Sequence, residues 1–160
     1  MQKISPCLWF DSQAEEAAEF YVSLFKNSKL GNVLRYDAES AKVSGQAEGS
    51  VLTMEFELDG QSFTAMNGGP LFKFSEAVSL MIDCEDQAEV DHFWDALTKD
   101  GEESQCGWLK DKFGLSWQIV PKQLTKLMSG ADPVKTQKVM HALLQMKKLD
   151  LAALEAAYNS

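Results

Sequence analysis

Between residues 51 and 67 apolar and polar side chains alternate, as VLTMEFEL and QSFTAM on either side of Asp59-Gly60. A period of two predicts half-buried strands, and an Asp-Gly pair between them predicts a type I′ hairpin. Further strands are expected from Ile4 to Phe10, over 30–37 and from Val78 to Cys84, and SQCGWLKD with LSWQIV predicts a second hairpin around Lys112 to Gly114. Helical spacing takes over at Ala17, Phe20, Tyr21 and Leu24, and again at Val90, Phe93, Trp94 and Leu97. Asp11 or Ser12 is the expected cap of the first helix and Glu85 or Asp86 of the second, with acids in each first turn favoured by the helix dipole.

These elements repeat. Gln13-Ala14-Glu15 returns as Gln87-Ala88-Glu89, followed by an aromatic at Phe20 and at Trp94. A strand precedes each helix and strands with a hairpin follow it, so the chain reads as two copies of one β-α-β-β-β unit. From Pro121 the pattern is helical, near 122–129, 133–147 and 150–158, with Asp132-Pro133 as a cap followed by proline. Leu143, Leu144, Met146, Leu149, Leu151 and Leu154 give this tail an apolar face, for its own sheet or for a second subunit. The expected division is a domain over 1–121, with modules at about 3–70 and 76–121, and a helical extension over 122–160.

With 160 residues, 45% hydrophobic and 24% charged, the chain has the length and composition of one globular domain. The net charge of -9 leaves no basic stripe for phosphates, which argues against nucleic acid or an anionic membrane as partner. No apolar run approaches the ~20 residues that span a bilayer. MQKISPCLWF lacks the basic and apolar regions of a signal peptide, and three cysteines without a CxxC pair suit a reducing compartment, so a cytoplasmic location is expected.

Candidate chemistry is sparse. Cys7, Cys84 and Cys106 sit in apolar settings that predict packing, and Lys110 stands about 13 Å from Cys106 if the strand is extended, too far to activate it. His92 and His141 are expected at the surface or in packing. Glu55 and Asp83 are the residual acid/base candidates, because Glu55 alternates with apolar neighbours and Asp83 shares a face with Ser79 and Met81. Trp108, Phe63 and Trp117 are expected in the core, whereas Trp9 lies on the less apolar face of its strand. Gly68-Gly69-Pro70 reads as a turn, and there is no GxGxxG or P-loop. Gln118, among the apolar residues of FGLSWQIV, either finds backbone or solvent partners or lines a cavity.

The strings PCLWFDSQAEEAAEFYVSLF, FELDGQSFTAMNGGP and QCGWLKDKFGLSWQIVP resemble the PhnB-like proteins of the glyoxalase/bleomycin-resistance/extradiol-dioxygenase (vicinal oxygen chelate) superfamily, over residues 3–121 and into the tail. The resemblance implies an α+β fold of two paired βαβββ modules, each sheet curled around a cleft with its helix on the other face. Catalytic members bind a divalent metal through four side chains, usually His, Glu or Gln, from the first and last strands of each module. Carried onto this chain, the acidic ligand four residues after a turn glycine becomes Gln118, and in the first module Thr64, or Met66 with the register slipped by two. The first strands pair Ser5 with Ser79, Cys7 with Met81 and Trp9 with Asp83.

Ser5, Thr64, Ser79 and Gln118 are a poor donor set for Zn²⁺, Mn²⁺ or Fe²⁺. The expectation is therefore a cleft without a metal or other cofactor, formed by Ser5, Cys7, Trp9, Glu55, Thr64, Ser79, Asp83 and Gln118, with Asn67 at the rim. A small-molecule ligand and a homodimer are the expected partners. The leading function is small-molecule binding, with catalysis left open. The alternatives are a metal-dependent lyase, isomerase or dioxygenase, a methyltransferase as in the family's frequent label demethylubiquinone methyltransferase, and a drug-sequestering resistance protein.

Overall fold

The structure, a computed structural model, describes residues 2–160. It divides into two compact units, Met1–Phe74 and Ser75–Ser160. In the first, strand β1 (Cys7–Phe10) leads into helix α1 (Ala14–Leu24), strand β2 (Lys29–Arg35), helix α2 (Ala38–Ser44) and the hairpin of β3 (Val51–Leu58) and β4 (Gln61–Asn67). The sheet order is β1-β4-β3-β2, with β1 parallel to β4 and the other neighbours antiparallel. The second unit repeats this order without a counterpart of α2, as β5 (Ser79–Cys84), α3 (Gln87–Thr98), β6 (Glu102–Glu103), β7 (Trp108–Lys110) and β8 (Ser116–Pro121). Its sheet runs β5-β8-β7-β6, again with the outer strand β5 parallel to β8. Helices α4 (Gln123–Met128), α5 (Pro133–Leu143) and α6 (Leu151–Asn159) complete it. The fold is α+β, two βαβββ modules with a helical extension.

Strand alternation decides which residues form each core. Leu8, Phe10, Met54, Phe56, Phe63 and Ala65 are buried on one side of the first sheet, together with Ala14, Ala17, Ala18 and Tyr21 of α1. In the second unit Ile82, Cys84, Leu109, Leu115, Trp117 and Ile119 are buried, as are Val90, Phe93, Trp94 and Leu97 of α3. The Asp59-Gly60 hairpin has both central residues at positive φ, 48° and 79°, as a type I′ turn requires.

Several expectations change. The first strand begins at Cys7 rather than Ile4, which is exposed; parallel pairing opens at Cys7 opposite Thr64, and Pro6 contributes only its carbonyl, to the Thr64 amide. Helix α1 is not capped by Asp11 or Ser12. Gln13 occupies the cap position without a side-chain bond, and Asn67 Oδ1 accepts from the Ala14 amide at 2.8 Å. Asp86 does cap α3, accepting from the Glu89 amide. Helix α2 lies where only a connection was expected, held by a capping box between Asp37 and Ser40 and closed by Gly45 at φ 76°.

The extension folds onto its own unit. Val139, Leu149 and Leu154 are fully buried, with Val120, Leu124, Leu127 and Tyr158 packed around them. Gln87, at the start of α3, donates from Nε2 to the Leu149 carbonyl and accepts the Leu151 amide on Oε1. The amides of Cys106 and Gly107 donate to the carbonyls of Met146 and Lys147.

Candidate functional site

Each sheet turns one face toward its helix and leaves the other open. On the open face of the first sheet, Cys7 stands beside Thr64 and Trp9 beside Met66 in parallel register, while Glu55 lies opposite Thr64 and Glu57 opposite Ser62. A cavity of about 220 Å³ is lined there by Ser5, Lys29, Glu55, Glu57, Ser62 and Thr64 among others. Lys29 pairs with Glu57 at 3.6 Å, and Asn32 donates to Glu55 at 3.1 Å. The cavity therefore joins three of the candidate residues, Ser5, Glu55 and Thr64.

Trp9 forms a fixed wall on the same face. Its Nε1 donates to the Gly69 carbonyl at 2.9 Å, and Phe72 meets the ring edge-on at 5.0 Å between centroids. A side chain at Gly68 would enter this indole, since a Cβ there would lie 2.2 Å from Cζ2. Cys7 is exposed rather than packed, and partial desolvation holds its thiol above the ordinary range. Asn67 is buried rather than at a rim. It caps α1, donates to the Val51 carbonyl, and accepts the Tyr36 hydroxyl on its own carbonyl at 2.5 Å. Its face is the helix side of β4, so it is part of the framework.

On the second sheet the face away from α3 carries two open rows, Ser116 between Ser79 and Lys110 and Gln118 between Met81 and Trp108, while Val120, beside Asp83, packs against the helical extension. Gln118 Nε2 donates to Ser79 Oγ at 2.9 Å. Ser116 is 1% exposed, and among the described residues its Oγ finds no hydrogen-bond partner. An unmet buried hydroxyl costs roughly 1–3 kcal/mol. Lys110, on one side of β8, forms an ion pair with Glu76, just before β5 on the other side. The hydrogen bond from Lys110 holds the Glu76 carboxyl below the carboxylate range and the Lys110 ammonium above its own. Asp83 is exposed, whereas burial, with Glu89 and Asp83 nearby, pushes the Cys84 thiol up to about 12.

Trp108 is half-buried on the open face rather than in the core, because it lies directly opposite Gln118. Cys106 lies in a turn at φ 59°, outside β7, so no extended strand links it to Lys110. Phe63 and Trp117 are buried, and His92 and His141 are exposed. Sequence reasoning passed over Lys110, Ser116 and Trp108 as site residues. Strand alternation puts Ser116 on the face of Gln118, two residues away, but only cross-strand register adds the other two.

Register also fixes how the modules correspond. Cys7 opposite Thr64 repeats as Met81 opposite Gln118, so Thr64, not Met66, is the counterpart of Gln118. The four positions expected to hold a metal thus present three hydroxyls and one amide, and the amide nitrogen already donates to Ser79. Among the described residues no three His, Cys, Asp or Glu side chains converge. This donor set does not fit a Zn²⁺, Mn²⁺ or Fe²⁺ centre.

Residues 2–120 match the family model described as 3-demethylubiquinone-9 3-methyltransferase. Among curated proteins no match is found. The chain is similar to a Bacillus cereus structure described as a 3-demethylubiquinone-9 3-methyltransferase, PhnB protein, at 36% identity and a TM-score of 0.67, covering 75% of this chain and 99% of that one. A Pseudomonas aeruginosa protein, PA1353, shares the fold at 18% identity and TM-score 0.63, over 76% and 98% of the two chains. The fosfomycin resistance protein FosX of Listeria monocytogenes does so at 12% identity and TM-score 0.52, over 81% and 98%. The chain therefore has the glyoxalase/bleomycin-resistance fold and belongs to the 3-demethylubiquinone-9 3-methyltransferase family, the PhnB-like proteins.

Proposed function

We propose that this protein binds a small molecule on the open faces of its sheets, without the four-ligand metal centre of the superfamily's catalytic members. The observation that carries this reading is the Gln118–Ser79 hydrogen bond of 2.9 Å, which commits two metal-equivalent positions to a neutral donor–acceptor pair. The polar cavity beside Thr64 and the Trp9 wall support it, since small-molecule sites combine apolar walls with a few placed polar groups. The end of the family match at residue 120 supports a ligand-binding domain over 1–121 followed by an extension over 122–160. Free thiols at Cys7, Cys84 and Cys106 suit a cytoplasmic setting. Exposed Leu30, Val33 and Leu34 on the edge strand β2 suit a homodimer, which light scattering would detect as twice the 17.8 kDa chain mass.

The test is a thermal-shift panel of metabolites, antibiotics, S-adenosylmethionine and divalent metals. A ligand at 100 times its Kd adds about 2.7 kcal/mol of stability, and Gln118→Leu removes that gain. Undiminished binding to Gln118→Leu overturns the site. A tightly held stoichiometric ion in the purified protein overturns the metal-free reading. Saturable stabilisation by S-adenosylmethionine replaces it with the methyltransferase of the family description.

A further inference from the structure

The small-molecule reading leaves the second sheet with an unexplained arrangement. Ser116 is sealed from solvent with its hydroxyl unmet, although it lies on the open face. Its cross-strand neighbours are Ser79 and Lys110, and the Lys110–Glu76 ion pair links the two strands that flank it. Ser79 Oγ accepts from Gln118, which leaves its own proton free to donate. The Ser116 hydroxyl is also free to donate, and the ammonium of Lys110 adds three N–H groups. This row is rich in donors, and the anion nearest to it is a carboxylate of the chain itself, Glu76.

We infer that Lys110, Ser116, Ser79 and Gln118 form a binding site for a small carboxylic acid, and that Glu76 holds the Lys110 ammonium until the ligand's carboxylate displaces it. The inference rests on the small-molecule reading of this same face. The strap is suited to displacement, because both of its side chains are partly exposed and an exposed ion pair is weak. A carboxylate offers about four lone-pair sites, enough to meet the Lys110 ammonium and both hydroxyls together. The rest of the ligand then extends over the next row, about 6.6–6.8 Å along the strands. Met81 and Trp108 flank Gln118 there, a thioether and an indole on either side of an amide. That row favours a flat or aliphatic apolar body, so the ligand class is a monocarboxylic acid with an aromatic or branched apolar group.

Benzoate is the probe, with acetate, benzyl alcohol and inorganic phosphate as comparators, titrated into the full chain and followed through the Gln118 side-chain amide and the Ser116 backbone amide by NMR. Benzoate is expected to shift both signals saturably, acetate to do so more weakly, and benzyl alcohol and phosphate to shift neither. Glu76→Gln removes the internal competitor and should tighten benzoate roughly two- to fivefold, the fraction of time an exposed ion pair occupies the site. Lys110→Gln should weaken it at least about tenfold. Ser116→Ala should weaken it roughly two- to tenfold without lowering the melting temperature. Wild-type affinity in Lys110→Gln, or phosphate binding as tightly as benzoate, overturns the proposal. Benzyl alcohol shifting Gln118 as strongly as benzoate overturns the carboxylate but keeps the small-molecule reading. Silence of every probe at Gln118 overturns the carboxylate site, while the small-molecule reading falls only if its own ligand panel is silent too.

Discussion

The two sheets share order, direction and register, yet their open faces differ in charge and closure. In the first, Glu55 and Glu57 face a cavity with Ser5 and Thr64, and the one lysine lining it, Lys29, is paired with Glu57. In the second, a lysine and two hydroxyls form one row, and Glu76 reaches it from outside the strands. Duplication thus kept what the backbone needs and released what it does not. Residues that face the helix must fill a core of fixed spacing, so Phe63 and its counterpart Trp117 both stay buried and aromatic. The open-face positions carry no such constraint, and there Thr64 corresponds to Gln118.

The largest test of this contrast is in the shared core. Trp117→Ala should cost about 3–5 kcal/mol in urea denaturation, because it opens a cavity and removes the indole N–H that Asp111 Oδ2 accepts at 2.9 Å. Asp111 also accepts the Phe113 and Leu115 amides and so shapes the second hairpin turn, where the first uses Asp59-Gly60. Gln118→Leu, one residue further on but on the open face, should change stability by less than about 1 kcal/mol. A comparable loss at the two positions would end the division between framework and free face.

Next in size is the way each helix begins. Asn67 reaches from β4 to cap α1 and also engages Val51, while Asp86 caps α3 from the adjacent turn. Asn67→Ala should cost about 2–3 kcal/mol, since it orphans buried backbone groups. Asp86→Ala should cost about 1 kcal/mol, the usual effect of an exposed cap. Equal losses would mean that the long-range cap adds nothing beyond the local one.

This difference also explains what could be read from the sequence. Periodicity gave both main helices, every strand except the two-residue β6 and the core placement of Trp117, because core residues obey a two- or 3.6-residue rule. The α3 cap was legible because Asp86 lies three residues before the amide it serves. The α1 cap was not, since its oxygen comes from 53 residues away. Helix α2 escaped because only Ala41 of its residues is buried, although the Asp37–Ser40 box and Gly45 were local signals for it. In the candidate site, the resemblance singled out Gln118 and Ser79, and the hydrogen bond between them appears only in three dimensions. Lys110 and Glu76 are 34 positions apart in the chain, and no local pattern joins them.

The repeated tripeptide gives a finer comparison. Gln13 is exposed and makes no cap bond, whereas Gln87 holds the extension at Leu149 and Leu151 and donates to Asp91. Gln87→Ala should therefore cost about 1–2 kcal/mol and speed amide exchange at Leu151, while Gln13→Ala stays within about 0.5 kcal/mol. The same residue type at the same repeat position has become a clamp in only one module. Equal, negligible effects would return Gln87 to a surface role.

The smallest expected effect concerns the charges that accompany this clamp. Lys148 Nζ lies 3.1 Å from Asp91 and 3.6 Å from Asp95, tying the loop before α6 to α3. Hydrogen bonds from Gln87 and then Lys148 hold the Asp91 carboxyl below its ordinary 3.8. A carboxyl lowered on folding adds stability above its unfolded value and loses it as the pH falls through the folded one. The contribution is thus present at neutral pH and declines as acid is added from near pH 4 downward. These groups are largely exposed, so screening limits it to about 0.5 kcal/mol. Lys148 is raised mainly by its hydrogen bond to Asp91, so its own share is lost only at alkaline pH, above its ordinary 10.5. Urea midpoints of the wild type and Lys148→Met at pH 7 and pH 3 should therefore differ at pH 7 and converge at pH 3. A Lys148→Met deficit that persists at pH 3 would assign the loss to the packing of the lysine stem rather than to its charge.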